Sequence, residues 1–279
     1  MHVFDPGEIK KLYKPPYNST KMDNGQVTVI GGSKLFHGAP VFALVTASRI
    51  VDMVYFASPE PSVGEVANKI KSTLSSFIWV PWDDLDKYIE KSDAVLMGPG
   101  FMRFTSEKDA ARPSLNRSDG EYQESREITR DLLQKFPHKK WVIDAGSLQV
   151  MDTAWIPENS ILTPNQKEYK MLFDSLSPEA AAKRHKCILV IKGPETFVYS
   201  STDKIEVKGG NPGLTKGGTG DVEAGLTVAL LAKNDPVLSA ATASFVVKKA
   251  AEQLAEKSGT FYNSDDLAAK VPEVLAGLI

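Results

Sequence analysis

One threonine and one aspartate stand among glycines in the run GGNPGLTKGGTGDVEAGLTVALLAK, residues 209–233, just ahead of an apolar segment. A glycine-rich turn feeding a helix presents backbone N–H groups that have no partner within the helix. Together with the positive end of the helix dipole, they form an anion site. Glycine lets a phosphate approach closely and allows the left-handed backbone of a nest. Gly217, Gly218, Thr219 and Gly220 supply that nest, and VEAGLTVALLAK supplies a buried helix. Asp221 at its lip would repel a phosphate, so its placement calls for a task. The fitting task is to take the proton of a hydroxyl that attacks phosphate or leaves with it. An ordinary helix cap accounts for a lone Gly-Asp pair, but not for this five-residue cluster. No Gly-Lys-Ser/Thr closes the run, so it is not a Walker loop.

The elements that must position this turn follow from the apolar runs. QVTVIGG (26–32), MVYFASP (53–59), DAVLMGPG (93–100), KWVIDAG (140–146), SILTPN (160–165) and CILVIKG (187–193) each read as a strand ending in a turn. The segment at 39–51 has helical spacing. Continuous apolar strands fit a parallel sheet covered on both faces, and strand alternating with helix indicates one α/β domain. TFVYSS and KIEVKG predict an antiparallel hairpin at the sheet edge. Five strand ends carry glycine, proline or aspartate (GGS, GPG, DAG, TPN, IKG). Ligands in such sheets bind beyond the carboxyl ends of strands. Residues 1–24 read as an N-terminal extension and 103–121 as a polar surface excursion with a turn at NRSDG. A helix is expected from Tyr122 to the LLQKF segment.

The chain has 279 residues, net charge −2 and a single cysteine. It is long enough for a large core without cross-links. Nothing in the charge suggests a nucleic-acid partner, and no apolar run is long enough for a membrane span. The N-terminus lacks the apolar stretch of a signal peptide. A cytoplasmic location is expected. Cys187, flanked by apolar residues, reads as a core thiol. His37 sits in a glycine turn, whereas His138 and His185 lie in basic stretches, and no His/Cys/Asp spacing makes a metal cage. Trp79 and Trp82 read as packing anchors.

The Gly-x-Gly-Asp of this turn resembles the anion hole of the ribokinase-like superfamily. Within it, NPGLTKGGTGDVEAG is similar to the NAD(P)H-hydrate dehydratases. VIGGSKLFHGAPVFA, GPG, IDAGSL, LTPNQKE and LVIKGPET follow in family order from about residue 25 to the end. The resemblance implies a ribokinase-like three-layer α/β sandwich, with a central, mainly parallel sheet, flanking helices and a small antiparallel edge. It implies repair of hydrated NADH or NADPH, in which ADP or ATP phosphorylates the ring hydroxyl, which is then eliminated. Carried over by residue, Ala39 and Gly100 would touch the hydrate. Lys192, Gly193, Pro194, Glu195, Thr196 and Gly220 would line the nucleotide site with the nest, and Asp221 would act at the hydroxyl. Asn165 and Asn211 are further substrate contacts, and Glu168 would position magnesium through water. The resemblance also implies a homo-oligomer, dimer or tetramer, and a separate epimerase, since no epimerase segment is evident.

Three positions depart from the family pattern. Asn165 replaces the histidine of Thr-Pro-His-Pro-Gly-Glu, Gly146 replaces a second carboxylate after Asp144, and Glu223 replaces an apolar residue. Glu223 is expected in the first helical turn, where it suits the dipole. These departures keep two alternatives open: a kinase that stops at phosphate transfer to a small alcohol or sugar, and a nucleotide-binding sensor without turnover. Against each functional role stands a plainer one. Glu168 reads equally as an exposed helix-start residue, and Lys192 as a solvated strand end.

Overall fold

The computed structural model describes residues 1–103 and 120–279. Among them, ten strands form one sheet. In chain order these are β1 (His2–Val3), β2 (Gln26–Ile30), β3 (Met53–Ala57), β4 (Ile78–Trp79), β5 (Ala94–Met97), β6 (Lys140–Ile143), β7 (Ile161–Leu162), β8 (Ile188–Ile191), β9 (Thr196–Tyr199) and β10 (Lys204–Val207). Their spatial order is β1-β10-β9-β8-β7-β6-β5-β2-β3-β4. The strands from β8 to β4 run parallel. The β9–β10 hairpin is antiparallel to β8, as the TFVYSS and KIEVKG runs predict. From β2 the chain moves outward through β3 and β4, then crosses back to β5 and proceeds the other way. Loops leaving neighbouring strands in opposite directions open a crevice at this switch point.

The helices among the described residues are α1 (Gly38–Ala47), α2 (Pro61–Ile70), α3 (Leu85–Lys91), α4 (Gly120–Lys135), α5 (Ala145–Val150), α6 (Gln166–Phe173), α7 (Pro178–His185), α8 (Thr219–Leu231), α9 (Pro236–Ser258) and α10 (Ser264–Ala276). Strand side chains alternate between the two faces. Val27, Val29, Ala94 and Leu96 join one core with α1, α8, α9 and α10. Ile30, Val95, Met97 and Ile143 join the other with α3, α4, α6 and α7. Three layers result. Helix α8 is buried nearly throughout, from Val222 to Leu231, because α1 and α9 both pack on it. An all-apolar helix is stable only when enclosed in this way.

Two sequence expectations shift. The N-terminal segment is tied to the body: β1 pairs with β10, and Ile9 is fully buried. The helix expected from Tyr122 begins at Gly120. Most of the 103–121 excursion, with its NRSDG turn, lies outside the described residues. Trp79 packs its edge on Phe56, with ring centroids 5.3 Å apart. Cys187 is buried, which pushes its thiol up to about 12 and leaves it inert at neutral pH.

The closest helix contact sets a constraint. A methyl group on Gly225 of α8 would lie 2.4 Å from the carbonyl oxygen of Ala43 in α1. Gly225→Ala is therefore expected to force the helices apart and cost about 1–3 kcal/mol, the usual penalty of overpacking, measurable by urea unfolding.

Candidate active site

Parallel strands deliver their carboxyl ends to one edge, and the residues singled out in the sequence gather there. Asp144 follows β6, Thr163 and Asn165 follow β7, and Lys192 follows β8. Asn165 and Lys192 continue the parallel pairing as an isolated bridge. The Lys192 ammonium lies 2.8 Å from Asp144 Oδ1, and Thr163 Oγ1 donates to the same oxygen at 2.7 Å. The Asp144 side chain is 2% exposed and that of Lys192 19%, so this ion pair is enclosed and is not a solvated strand end. Burial works against the charged ammonium, but Asp144, Glu168 and Glu223 together hold its pKa above the ordinary lysine range. Lys192 stays protonated.

The glycine run forms the turn expected of it. Gly218, with φ +92°, caps α8 and makes no side-chain cap bond to its first turn. Thr219 Oγ1 turns inward and donates to the carbonyls of Leu214 and Lys216, at 2.7 and 2.9 Å. Ser264 Oγ, at the start of α10, donates to the Gly217 carbonyl at 2.7 Å. A side chain on Gly220 would place its first carbon 3.2 Å from Lys192 Nζ. The ammonium therefore stands beside the nest, and exposed amides and a cation share one opening.

Asp221 lies in the first turn of α8, partly buried. Burial is the main cause that raises its pKa to about 7; the negative charges of Asp144 and Glu168 add to the rise, and Lys192 opposes it. A carboxyl group that exchanges its proton near neutral pH is suited to general base work.

Glu168 is buried rather than an exposed helix start. It forms a capping box with Asn165: Asn165 Oδ1 accepts from the Glu168 amide at 3.0 Å, and Glu168 Oε2 accepts from the Asn165 amide at 2.9 Å. Its Oε1 accepts from Gln149 Nε2 at 3.0 Å. Both oxygens are thus engaged, and among the described residues no group of three or more His, Cys, Asp or Glu is arranged to hold a metal ion directly. The negative charges of Asp144 and Glu168 both act on Asp221.

Gly100, which follows β5, lies at the switch point beside the start of α1, whose first turn carries Ala39. The amide of Gly32 donates to the Pro99 carbonyl at 2.8 Å. A methyl on Gly100 would lie 2.6 Å from the Phe36 carbonyl and 3.1 Å from Pro40 Cδ. His37 caps the same helix, its Nε2 3.1 Å from Ser62 Oγ. Residues 193–195 lie in the turn between β8 and β9, with Pro194 and Glu195 exposed, and the buried Thr196 opens β9. Asn211 is placed differently from a ligand contact. Its Oδ1 accepts from the Gly213 amide and the Tyr262 hydroxyl, both at 2.9 Å, and its Nδ2 donates to the Ala251 carbonyl at 2.8 Å. These three bonds hold the turn in shape.

A scan against family models gives a match over residues 27–273 to the NAD(P)H-hydrate dehydratases. The chain belongs to this family. It is 33% identical to a bifunctional NAD(P)H-hydrate repair enzyme of Methanocaldococcus jannaschii, over 96% of this chain and 52% of that protein. It is 29% identical to an ADP-dependent (S)-NAD(P)H-hydrate dehydratase of Cenarchaeum symbiosum, over 92% of this chain and 91% of that protein. The chain thus spans about half the length of the first bifunctional relatives it matches. In fold it is similar to the Bacillus subtilis ADP/ATP-dependent NAD(P)H-hydrate dehydratase co-crystallised with ATP and Mg2+. The TM-score is 0.74 at 18% identity, covering 99% and 98% of the two chains. The architecture is ribokinase-like, with the antiparallel strands at one edge of a mainly parallel sheet.

The departures from the dehydratase pattern now have physical reasons. A side chain on Gly146 would place its first carbon 2.4 Å from the Phe101 carbonyl oxygen, so no second carboxylate fits there. Asn165 acts as a helix cap, a role within reach of its amide. Glu223 is not in the first turn, contrary to expectation: it lies beyond Asp221, where its Oε1 accepts from Ser244 Oγ of α9. Asp144 was visible at the end of a strand, but only the structure gives it a role, as partner of Lys192.

The raised pKa has a consequence for stability. In the unfolded chain Asp221 loses its proton near the ordinary 3.8, and in the folded chain near 7. The contribution of this one group to stability is therefore fully present below the lower value and is lost as pH rises through the upper one. Asp221→Asn, which cannot ionise, is expected to melt about 2–4 °C above the wild type at pH 8. The gap should shrink toward pH 5, and calorimetry across that range is the check.

Proposed function

We propose that this chain carries out nucleotide-dependent dehydration of hydrated NADH or NADPH, with ADP or ATP as phosphate donor. The observation that carries the reading is the position of Asp221. A carboxyl group with a pKa of about 7 stands in the first turn of α8, behind the glycine cap and within the charge field of Lys192. The name of the Cenarchaeum symbiosum relative, an ADP-dependent (S)-NAD(P)H-hydrate dehydratase, supports it.

In this mechanism the nucleotide phosphates rest on the amides of residues 217–220, with Lys192 at their side. Residues 193–196 flank the nucleotide, and the hydrated ring lies toward Ala39 and Gly100 at the switch point. Asp221 accepts the proton of the ring hydroxyl as its oxygen attacks the terminal phosphorus, and the shortened nucleotide leaves. The phosphate then departs with the ring C–O bond, and loss of a proton from the neighbouring carbon restores the double bond. Magnesium, held through its waters beside Glu168, would offset the phosphate charge. The proposal extends to a homo-oligomer that works alongside a separate epimerase.

The test is absorbance at 340 nm, a wavelength at which reduced nicotinamide absorbs and its hydrate does not. Purified protein given hydrated NADH, magnesium and ADP or ATP is expected to produce a nucleotide-dependent rise. A flat trace from folded protein that still binds nucleotide would overturn the dehydratase reading and bring forward phosphate transfer to a small alcohol. Asp221→Asn is expected to lower kcat by about 10²–10⁴-fold, the range for loss of a general base, while calorimetry still detects nucleotide binding. Because Asp221 must be ionised to accept a proton, the rate should rise with pH through about 7.

A further inference from the structure

Lys248 lies in the middle of α9, 5% exposed, far in sequence from every glycine turn. Its ammonium donates to the carbonyl of Pro194 at 3.1 Å and to that of Gly209 at 3.0 Å. Those carbonyls belong to two separate loops, the 193–195 turn and the start of the glycine-rich run. One helical turn further on, Glu252 Oε1 accepts from the Gly210 amide at 3.0 Å. With the Asn211 Nδ2 bond to the Ala251 carbonyl, the same helix grips the run three times and the Pro194 carbonyl once.

Taking an ammonium out of water is costly unless charge and hydrogen bonds compensate it. Burial pulls Lys248 below the ordinary lysine range, and Glu223, Glu252 and Glu195 pull the other way. Glu223 is the largest of these opposing influences. Glu223 lies on α8, accepts from Ser244 Oγ, and is faced by Lys192, Asp144 and Lys248. Burial raises the pKa of Glu223, while Lys192 and Lys248 act against that rise; the contacts of Lys248 itself are the two loop carbonyls.

We propose that Lys248, backed by Glu223, is a positioning residue that locks the 193–195 turn against the glycine-rich run and so sets the geometry of the nucleotide site. Neither residue touches the reacting atoms. Glu223 takes the place of an apolar residue on α8, and its carboxylate accepts from Ser244 Oγ of α9, the helix that carries Lys248. The inference rests on the nucleotide-site reading above.

The test is calorimetric titration of ADP and of ATP into the full chain, comparing the wild type with Lys248→Met, which keeps the stem and removes the ammonium. Losing a charged donor to two loop carbonyls is expected to weaken both nucleotides by about tenfold or more. The nucleotide KM should rise in parallel, with kcat at saturating nucleotide within about threefold of the wild type. Lys248→Arg should recover most of the affinity. Hydrogen exchange should quicken at the amides of 193–196 and 209–210 and stay unchanged in α4. Should Lys248→Met fail to fold, Glu223→Gln carries the test, with a smaller loss of affinity expected in the same direction. Unchanged affinity and exchange would overturn the inference. So would a general fall in melting temperature with exchange quickened throughout, which would make Lys248 merely structural. A wild type that binds ADP but restores no absorbance at 340 nm would sink the dehydratase reading alone.

Discussion

Asp144 touches the ammonium of Lys192 at 2.8 Å, and the charges of Glu168, Glu223 and Asp221 also act through it. An enclosed lysine without such neighbours would shed its proton; this one keeps its charge because carboxylates outnumber it. The same excess has a second effect. The lysine cannot neutralise them all, so a carboxylate left with poor compensation holds its proton longer. Asp221 is one such group, since burial and two negative neighbours outweigh its share of Lys192. The reactivity proposed for the site is thus a product of crowding around one cation, and not a property of the aspartate itself.

The crowding depends on the sheet. Parallel strands bring all their carboxyl ends to one edge, so residues more than 40 positions apart in sequence, such as Asp144 and Lys192, meet directly. The layer of α1, α8 and α9 then closes one side. Because α8 is apolar on all sides, only its first turn reaches the edge, and that turn carries the glycines and Asp221. One strained residue lies at the same place: Ala145, next to Asp144, has φ +46°. Non-glycine residues in that region cost about 1–3 kcal/mol and persist where the surroundings fix them.

Much of this was legible in the chain alone. The apolar runs marked β2, β3, β5, β6 and β8 because burial on both faces leaves no polar alternation to confuse them. The glycine run announced its turn because few other residues adopt that backbone. The missed features share a different cause. Strand β1 is two residues long and carries no pattern. The sequence left Glu168 open between a magnesium role and an exposed helix start, since a capping box reads the same whether buried or solvated. The bonds of Asn211 to Tyr262 and Ala251 were hidden because those partners lie far along the chain.

The sequence by itself determined the fold class, the family and the identity of the aspartate at the glycine turn. These follow from local pattern, in which backbone freedom, hydrophobic period and residue spacing are all readable within a dozen positions. Tertiary structure alone decided which charges face one another. It paired Lys192 with Asp144, turned Glu223 from the helix terminus toward Ser244, placed Lys248 beneath two loops, and closed the space at Gly146. Electrostatic interaction depends on distance and burial, and neither can be read from separation along the chain.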